Sequence, residues 1–222
     1  MQAILFDFDY TLAEATAGTA DCINYALAQL ELPSVGDEVV QSVMGLSMPE
    51  LYRVVTGGKC PDYHAEFRRH FIDRADLIMA AAIVFFDTVA PTMEKLRQSG
   101  YKLGIVSTRY RRRMEEVLKR DRLLFFFDII VGAEDVKQHK PDPAPLLHAA
   151  GALDLDVGEC LYVGDTLIDA TAAQAAAMPF VGVTTGITTR KQFENAGVKQ
   201  VIRLLAELPT RMEQLVAGQD RN

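Results

Sequence analysis

Short apolar runs recur along this chain at 3–8, 103–107, 127–131, 161–163 and 180–183, and helical spacing separates them. Runs of this length without polar alternation read as strands buried on both faces, the pattern of a parallel sheet. The intervening stretches are 91–99 closed by Gly100, 111–120, 143–150 closed by Gly151, and the alanine-rich 168–177. They are long enough to serve as the crossover helices that parallel strands require. Right-handed crossovers then give an α/β fold, a doubly wound and mostly parallel Rossmann-like sheet with helices on both faces.

The stretch from 16 to 79 departs from this alternation. Its spacing is helical throughout, with helices expected over 22–30, 37–44 and 63–75, separated by the Gly and Pro residues of 32–36 and 56–61. The expected organisation is an α/β core domain made of 1–15 and 80–222, and a small all-helical cap domain over 16–79. The insertion leaves just after the first strand, at the carboxyl edge of the sheet. Open α/β sheets bind their ligands at that edge, so a helical module there is placed to act as a lid. The tail after Gly186 reads as helix-rich.

With 222 residues, 49% of them hydrophobic, the chain can bury one sizeable core and a small satellite domain. A formal net charge of -7 disfavours a nucleic-acid surface, which needs clustered cations to displace counterions. A small polar partner suits the charge better. The basic run 109–113 reads as the solvated opening of an amphipathic helix. Cys22, Cys60 and Cys160 are too widely spaced to suggest a disulfide framework or a zinc site, so a reducing, cytoplasmic setting is expected. The opening MQAILFDFDYTL lacks a basic n-region and no apolar run is long enough to cross a membrane, so neither a secretory signal nor a membrane anchor is expected. A monomer and a homodimer are equally compatible with the sequence.

Residues that carry chemistry fall at the ends of the expected strands. The first run closes in Asp7-Phe8-Asp9-Tyr10-Thr11-Leu12, and the period-2 geometry of an extended chain sends Asp7 and Asp9 to one side. Two carboxylates facing one spot need a cation, a shared proton or exposure. A magnesium ion bound by carboxylates, a carbonyl and waters would satisfy them. Ser107-Thr108-Arg109 follows the second run, Lys140-Pro141 the third, and Gly164-Asp165 with Asp169 the fourth. Taken singly, each has a plainer reading: a solvated turn, a strand-end hydroxyl, a proline that starts a helix, a pair of helix caps. No GxxxxGK[ST] or GxGxxG motif is present, which leaves a nucleotide-driven kinase or a dinucleotide enzyme without support.

In this order the four groups resemble the motifs of the haloacid dehalogenase superfamily: DxDxT, a strand-end Ser or Thr, a Lys often followed by Pro, and GDxxxD. The resemblance spans Asp7 to Asp169 and looks closest to the phosphoglycolate phosphatase-like branch, with its helical cap after the first motif. It implies a magnesium-dependent phosphoric monoester hydrolase in which Asp7 is the nucleophile, forming an aspartyl-phosphate, and Asp9 is the general acid and base. Ser107 and Lys140 would offset charge on the phosphoryl group. Asp7, Asp9, Asp165 and Asp169 would form the metal site, with Asp169 holding a metal-bound water or orienting Lys140. Thr11 would steady Asp9, and backbone amides of Phe8 and Thr108 would donate to the phosphate, with Arg109 beside them. Tyr10, and Gly45 in the cap loop 44–50, would contact the substrate.

Within that superfamily Asp9 argues against a dehalogenase and against a phosphonatase, which would also need a cap lysine, for which Lys59 is the candidate. A β-phosphoglucomutase-like phosphotransferase and a pyrophosphatase keep the same core residues and stay open. A receiver-type signalling domain would carry the acidic pair on the first strand and lack the helical insertion. Tyr10 stands where the family frequently has Gly, and Phe86-Asp87 where it frequently has Pro-Gly, so the small phosphorylated metabolite that serves as substrate is not fixed by the resemblance.

Overall fold

The computed structural model describes residues 1–58 and 63–219; Lys59 and Cys60 lie outside the described residues. In chain order its strands and α-helices are β1 (Ala3–Phe6), β2 (Ala13–Glu14), α1 (Thr16–Gln29), α2 (Asp37–Ser42), α3 (Met48–Val55), α4 (His64–Ala82), β3 (Val84–Phe85), α5 (Val89–Gln98), β4 (Lys102–Val106), α6 (Arg111–Arg120), β5 (Ile129–Val131), α7 (Ala144–Ala152), β6 (Cys160–Gly164), α8 (Leu167–Ala175), β7 (Phe180–Val183), α9 (Arg190–Asn195), β8 (Val201–Ile202) and α10 (Leu208–Gln219). They divide into two compact units, 1–12 with 85–222, and 13–84.

The larger unit is built on a six-stranded sheet ordered β5-β4-β1-β6-β7-β8, with every described pairing parallel. All four residues of β1 are fully buried, as a central strand covered on both faces demands. Leu5, Val106, Val131 and Tyr162 point to one face, where they pack with Leu146 and Ala149 of α7 and Ala172 and Ala173 of α8. Ile4 and Phe6 point by alternation to the other face and are equally buried. After β1 the chain lays β4 and β5 on one side of it, then returns to lay β6, β7 and β8 on the other. The strand order therefore reverses at β1, and the crevice at its carboxyl end is the topological switch point where such sheets bind ligands.

In the smaller unit α1 packs along α4. Gly18 permits the close approach, since a Cβ there would sit 2.6 Å from the Ala82 Cβ and 2.8 Å from the Met79 Sδ. Asp21 of α1 pairs with Arg74 of α4, Nε to Oδ1 at 2.6 Å.

Several elements differ from the sequence expectation. The unit runs from 13 to 84 rather than 16 to 79, because β2 and β3 pair where the chain enters and leaves it. The expected loop 44–50 ends in a helix start. Ser47 and Glu50 form a capping box at the head of α3, with the Ser47 Oγ donating to Glu50 Oε2 at 2.7 Å and Pro49 in the first turn. The tail carries a sixth strand, β8, ahead of its last helix.

Candidate active site

The carboxyl ends of β1, β4 and β6 and the loop after β5 bring the expected motif residues together. Asp7 directly follows β1, its amide donating to the Val163 carbonyl of β6 at 2.9 Å. Ser107 follows β4, and its amide donates to the Val131 carbonyl of β5 at 3.0 Å. The ladder hydrogen bonds thus continue one residue past each strand and fix the backbone of Asp7 and Ser107 at the sheet's edge. Ser107 is buried, and its Oγ accepts from the Arg109 amide at 3.3 Å; Thr108 is half-buried.

Lys140 lies at the centre, 3% exposed, with its Nζ 2.9 Å from Asp7 Oδ1 and 2.6 Å from Asp169 Oδ1. Burial works to lower its pKa, but Asp169 and Asp7 outweigh it and the pKa rises, so the side chain is an ammonium. Asp169 is completely buried and fully engaged. Its Oδ1 also lies 2.9 Å from the Tyr162 hydroxyl, and its Oδ2 accepts from the Thr166 amide at 3.1 Å within the capping box that starts α8. Gly164 leaves room for it, since a Cβ there would meet the Asp169 Cγ at 2.6 Å. One oxygen of this carboxylate caps the helix and the other takes the lysine.

Asp165 is bound more weakly. Its Oδ1 accepts from the Thr11 hydroxyl at 3.3 Å, while its Oδ2 is buried without a hydrogen-bond partner. Asp7, Asp165 and Asp169 each offer a carboxylate oxygen within 4.8 Å of the others, a grouping able to hold a cation. Without one, burial, opposed by Lys140 and reinforced by Asp169 and Asp9, raises the Asp7 carboxyl to about 7. Burial, then Asp169 and Asp7, push Asp165 well above the usual carboxylate range. Three carboxylates against one ammonium leave two surplus negative charges, the charge of one divalent cation. The donors are all oxygen, which suits a hard ion, and one Asp165 oxygen is buried without a hydrogen-bond partner.

Asp9 stands apart from that cluster. Expected among the metal ligands, its carboxylate instead takes a forked contact from Arg109, with Nε at 2.8 Å from both oxygens and Nη2 at 2.7 Å from Oδ1. The period-2 expectation stops applying because β1 ends at Phe6 and the chain bends, reaching a left-handed conformation at Tyr10 with φ +55°. Thr11, expected beside Asp9, serves Asp165 instead. The basic run divides likewise: Arg111 and Arg112 are exposed, whereas Arg113 is buried with its guanidinium 5.4 Å from the Tyr110 ring centroid, and Arg109 lies 5.8 Å from that of the fully buried Phe8. Gly45 belongs to the helical unit, in the turn between α2 and α3, with φ +82° that glycine adopts without strain.

Two contributors were not singled out in the sequence. Tyr162 is a polar side chain inside an otherwise apolar strand, and a buried tyrosine hydroxyl needs a partner. The loop after β7 is the other: the Thr185 hydroxyl donates to the Tyr10 carbonyl, and Gly186 lies so close to Asp165 that a Cβ would overlap its Oδ2. Its signal is the Thr-Thr-Gly sequence at the carboxyl end of a buried strand.

Asp7, Lys140, Asp165 and Asp169 all lie within a stretch that matches a known hydrolase family. Residues 4–183 match the model of the haloacid dehalogenase-like hydrolases, and the chain belongs to that family. Among curated proteins it is similar to the plasmid-encoded phosphoglycolate phosphatase of Cupriavidus necator, 32% identical over 184 residues that cover 80% of this chain and 78% of the relative. The phosphoglycolate phosphatase of Photorhabdus laumondii is 31% identical over 190 residues, covering 84% of this chain and 81% of the relative. Among solved structures, a haloacid dehalogenase-like hydrolase from Bacteroides fragilis superposes with a TM-score of 0.89 at 36% identity, over 93% of this chain and 99% of that one. Among the described residues, no helix is long and apolar enough to cross a membrane.

Proposed function

We propose that this protein is a magnesium-dependent phosphatase that hydrolyses a small phosphomonoester through an aspartyl-phosphate on Asp7, and that phosphoglycolate heads its candidate substrates. The observation that carries the reading is the Lys140 ammonium, 2.9 Å from Asp7, inside a buried carboxylate group with two surplus negative charges. Relatives about 31% identical that bear the name phosphoglycolate phosphatase support the substrate class.

Asp7 attacks phosphorus in line and displaces the leaving oxygen, with Lys140 and Ser107 offsetting charge on the phosphoryl oxygens. Asp7, Asp165 and Asp169 would hold Mg2+, which supplies electrostatic stabilisation of the phosphoryl group when bound. Asp169, the third of these carboxylates, also orients Lys140 through its Oδ1. Asp9 gives its proton to the leaving oxygen as the P–O bond breaks. It then takes one from the water that hydrolyses the acyl phosphate, which restores the proton needed for the next turnover. Between those steps Asp9 is a carboxylate, and Arg109 neutralises and aims it.

Phosphate release measured with Mg2+ over phosphoglycolate, sugar phosphates, pyrophosphate and β-glucose 1-phosphate tests the reading. Turnover of a phosphomonoester should vanish in Asp7→Asn. Parental turnover in Asp7→Asn would overturn the proposal, and isomerisation of β-glucose 1-phosphate without phosphate release would replace it with a mutase.

A further inference from the structure

Lys140 has three N–H donors and, among the described residues, three side-chain acceptors within reach. Two are the carboxylates of Asp7 and Asp169; the third is the Tyr162 hydroxyl, 2.8 Å from Nζ. Tyr162 comes from the middle of β6, pairs in register with Leu5 of β1, and is fully buried. Its side chain passes across β1, so that its hydroxyl lies 3.1 Å from the Val106 carbonyl, the last residue of β4 before Ser107, and 2.9 Å from Asp169 Oδ1. The hydroxyl accepts one proton from Lys140 and has one to give to either neighbour. One oxygen therefore ties together the middle of β6, the end of β4, the first turn of α8 and the loop that carries Lys140. The ring is held separately, with its centroid 6.0 Å from that of Phe180 within the apolar cluster beneath the site.

We infer that Tyr162 is a positioning residue for the phosphoryl-transfer reaction: its hydroxyl is the third, neutral leg of a tripod that fixes the Lys140 ammonium at bonding distance from Asp7 before substrate arrives. This inference rests on the phosphatase reading above. A side chain with four rotatable bonds gains directional precision when all three donors have fixed acceptors, and preorganised charge acts on the transition state more than on substrate binding. With the third acceptor removed, a buried N–H is left unsatisfied and the ammonium shifts toward its carboxylate partners.

Tyr162→Phe removes one oxygen and keeps the ring. The expected result is a fall in kcat of about tenfold to a hundredfold, on the scale of losing one outer hydrogen-bond partner of a reacting group. KM and the Mg2+-induced thermal shift should stay within about twofold of the parent. A double-mutant cycle with Lys140→Met separates positioning from general damage. If Tyr162 acts through Lys140, the double variant is no slower than Lys140→Met alone. If Tyr162→Phe alone does not fold, the double variant should recover folding, because it removes the charge along with its partner. Parental kcat in Tyr162→Phe, additive losses in the cycle, or a double variant that fails to fold where Lys140→Met folds would each overturn the inference. Asp7→Asn in the same assay keeps the two ideas apart. Parental turnover there sinks the phosphatase reading, whereas an inactive Asp7→Asn beside a fully active Tyr162→Phe sinks only this one.

Discussion

Asp165→Asn should make the metal-free protein more stable and the metal-loaded protein inactive. Asp165 is 1% exposed, and one of its oxygens has no hydrogen-bond partner, an omission that costs about 1–3 kcal/mol for a buried group. It also faces two carboxylates, Asp7 and Asp169, within 4.8 Å. At an effective dielectric near 20 each such repulsion is worth about 3 kcal/mol, and Lys140 offsets roughly one of the two. An amide of the same shape removes the charge and can donate to the neighbouring carboxylates. Proton uptake by the raised Asp165 carboxyl already relieves part of that cost, so the expected gain in EDTA at pH 8 is about 1–3 kcal/mol, or about 2–10 °C in Tm for a chain of this size. Magnesium should reverse the order. The parent gains about 2.7 kcal/mol at a hundredfold excess over Kd, whereas the variant, with a surplus of one charge instead of two, binds the ion weakly. Differential scanning fluorimetry in EDTA and across a Mg2+ series, together with phosphate release, measures both effects. A variant less stable than the parent in EDTA, or one with an unchanged magnesium shift, would refute the electrostatic account of the site.

Three further outcomes follow from the same geometry. Asp9→Asn should lower phosphate release by about 10²–10⁴-fold, the range for a lost general acid and base, while leaving the magnesium-induced Tm shift intact, because its carboxylate faces Arg109 and lies outside the acidic cluster. Gly186→Ala, whose Cβ would overlap Asp165 Oδ2, should raise the Mg2+ concentration for half-maximal thermal shift by about tenfold or more. The third concerns pH. The Asp7 carboxyl is raised from 3.8 to about 7 in the fold, so between those values the folded state holds a proton that the unfolded chain releases. Metal-free stability should then fall as pH rises from about 4 to about 7, and urea titrations of Asp7→Asn should lack that part of the slope.

Much of the core was legible because its strands are buried on both faces. Burial on both faces removes polar alternation and leaves runs such as Ala3–Phe6 and Phe180–Val183 standing out from helical surroundings. Val201–Ile202 is too short to carry such a signal, and it becomes a strand only by pairing with β7. The head of α3 carries two competing signals: Ser47 and Glu50 have the S-x-x-E spacing of a capping box, but Gly45 and Pro49 around them suggest a loop. For the site, the resemblance pointed to Asp7, Ser107, Lys140, Asp165 and Asp169, and each sits where a strand or its connecting loop ends. Partnership was the hidden part. Arg109 reaches Asp9 across 100 positions and Tyr162 reaches Val106 across 56, distances that only the strand order β4-β1-β6 closes. The resemblance assigned Asp169 a role without revealing that one of its oxygens caps α8 while the other holds the lysine.

Tyr10 acquires a different meaning once its backbone is known. Where the family's first motif frequently has glycine, the resemblance makes Tyr10 a substrate contact. In the fold, position 10 lies at φ +55°, a conformation glycine enters freely and other residues adopt at roughly 1–2 kcal/mol. Glycine is therefore favoured there by the turn that carries the chain from Asp9 to Thr11, whatever the substrate. A tyrosine persists at this position with its side chain 8% exposed and its carbonyl held by the Thr185 hydroxyl. Burial of an aromatic ring is worth about 1.5–3 kcal/mol, enough to offset the strained backbone. The loop after β7 thus fixes two parts of the site at once, Thr185 the turn that follows Asp9 and Gly186 the carboxylate of Asp165. Changes in that loop should reach the chemistry through both, even though none of its residues belongs to the four motifs.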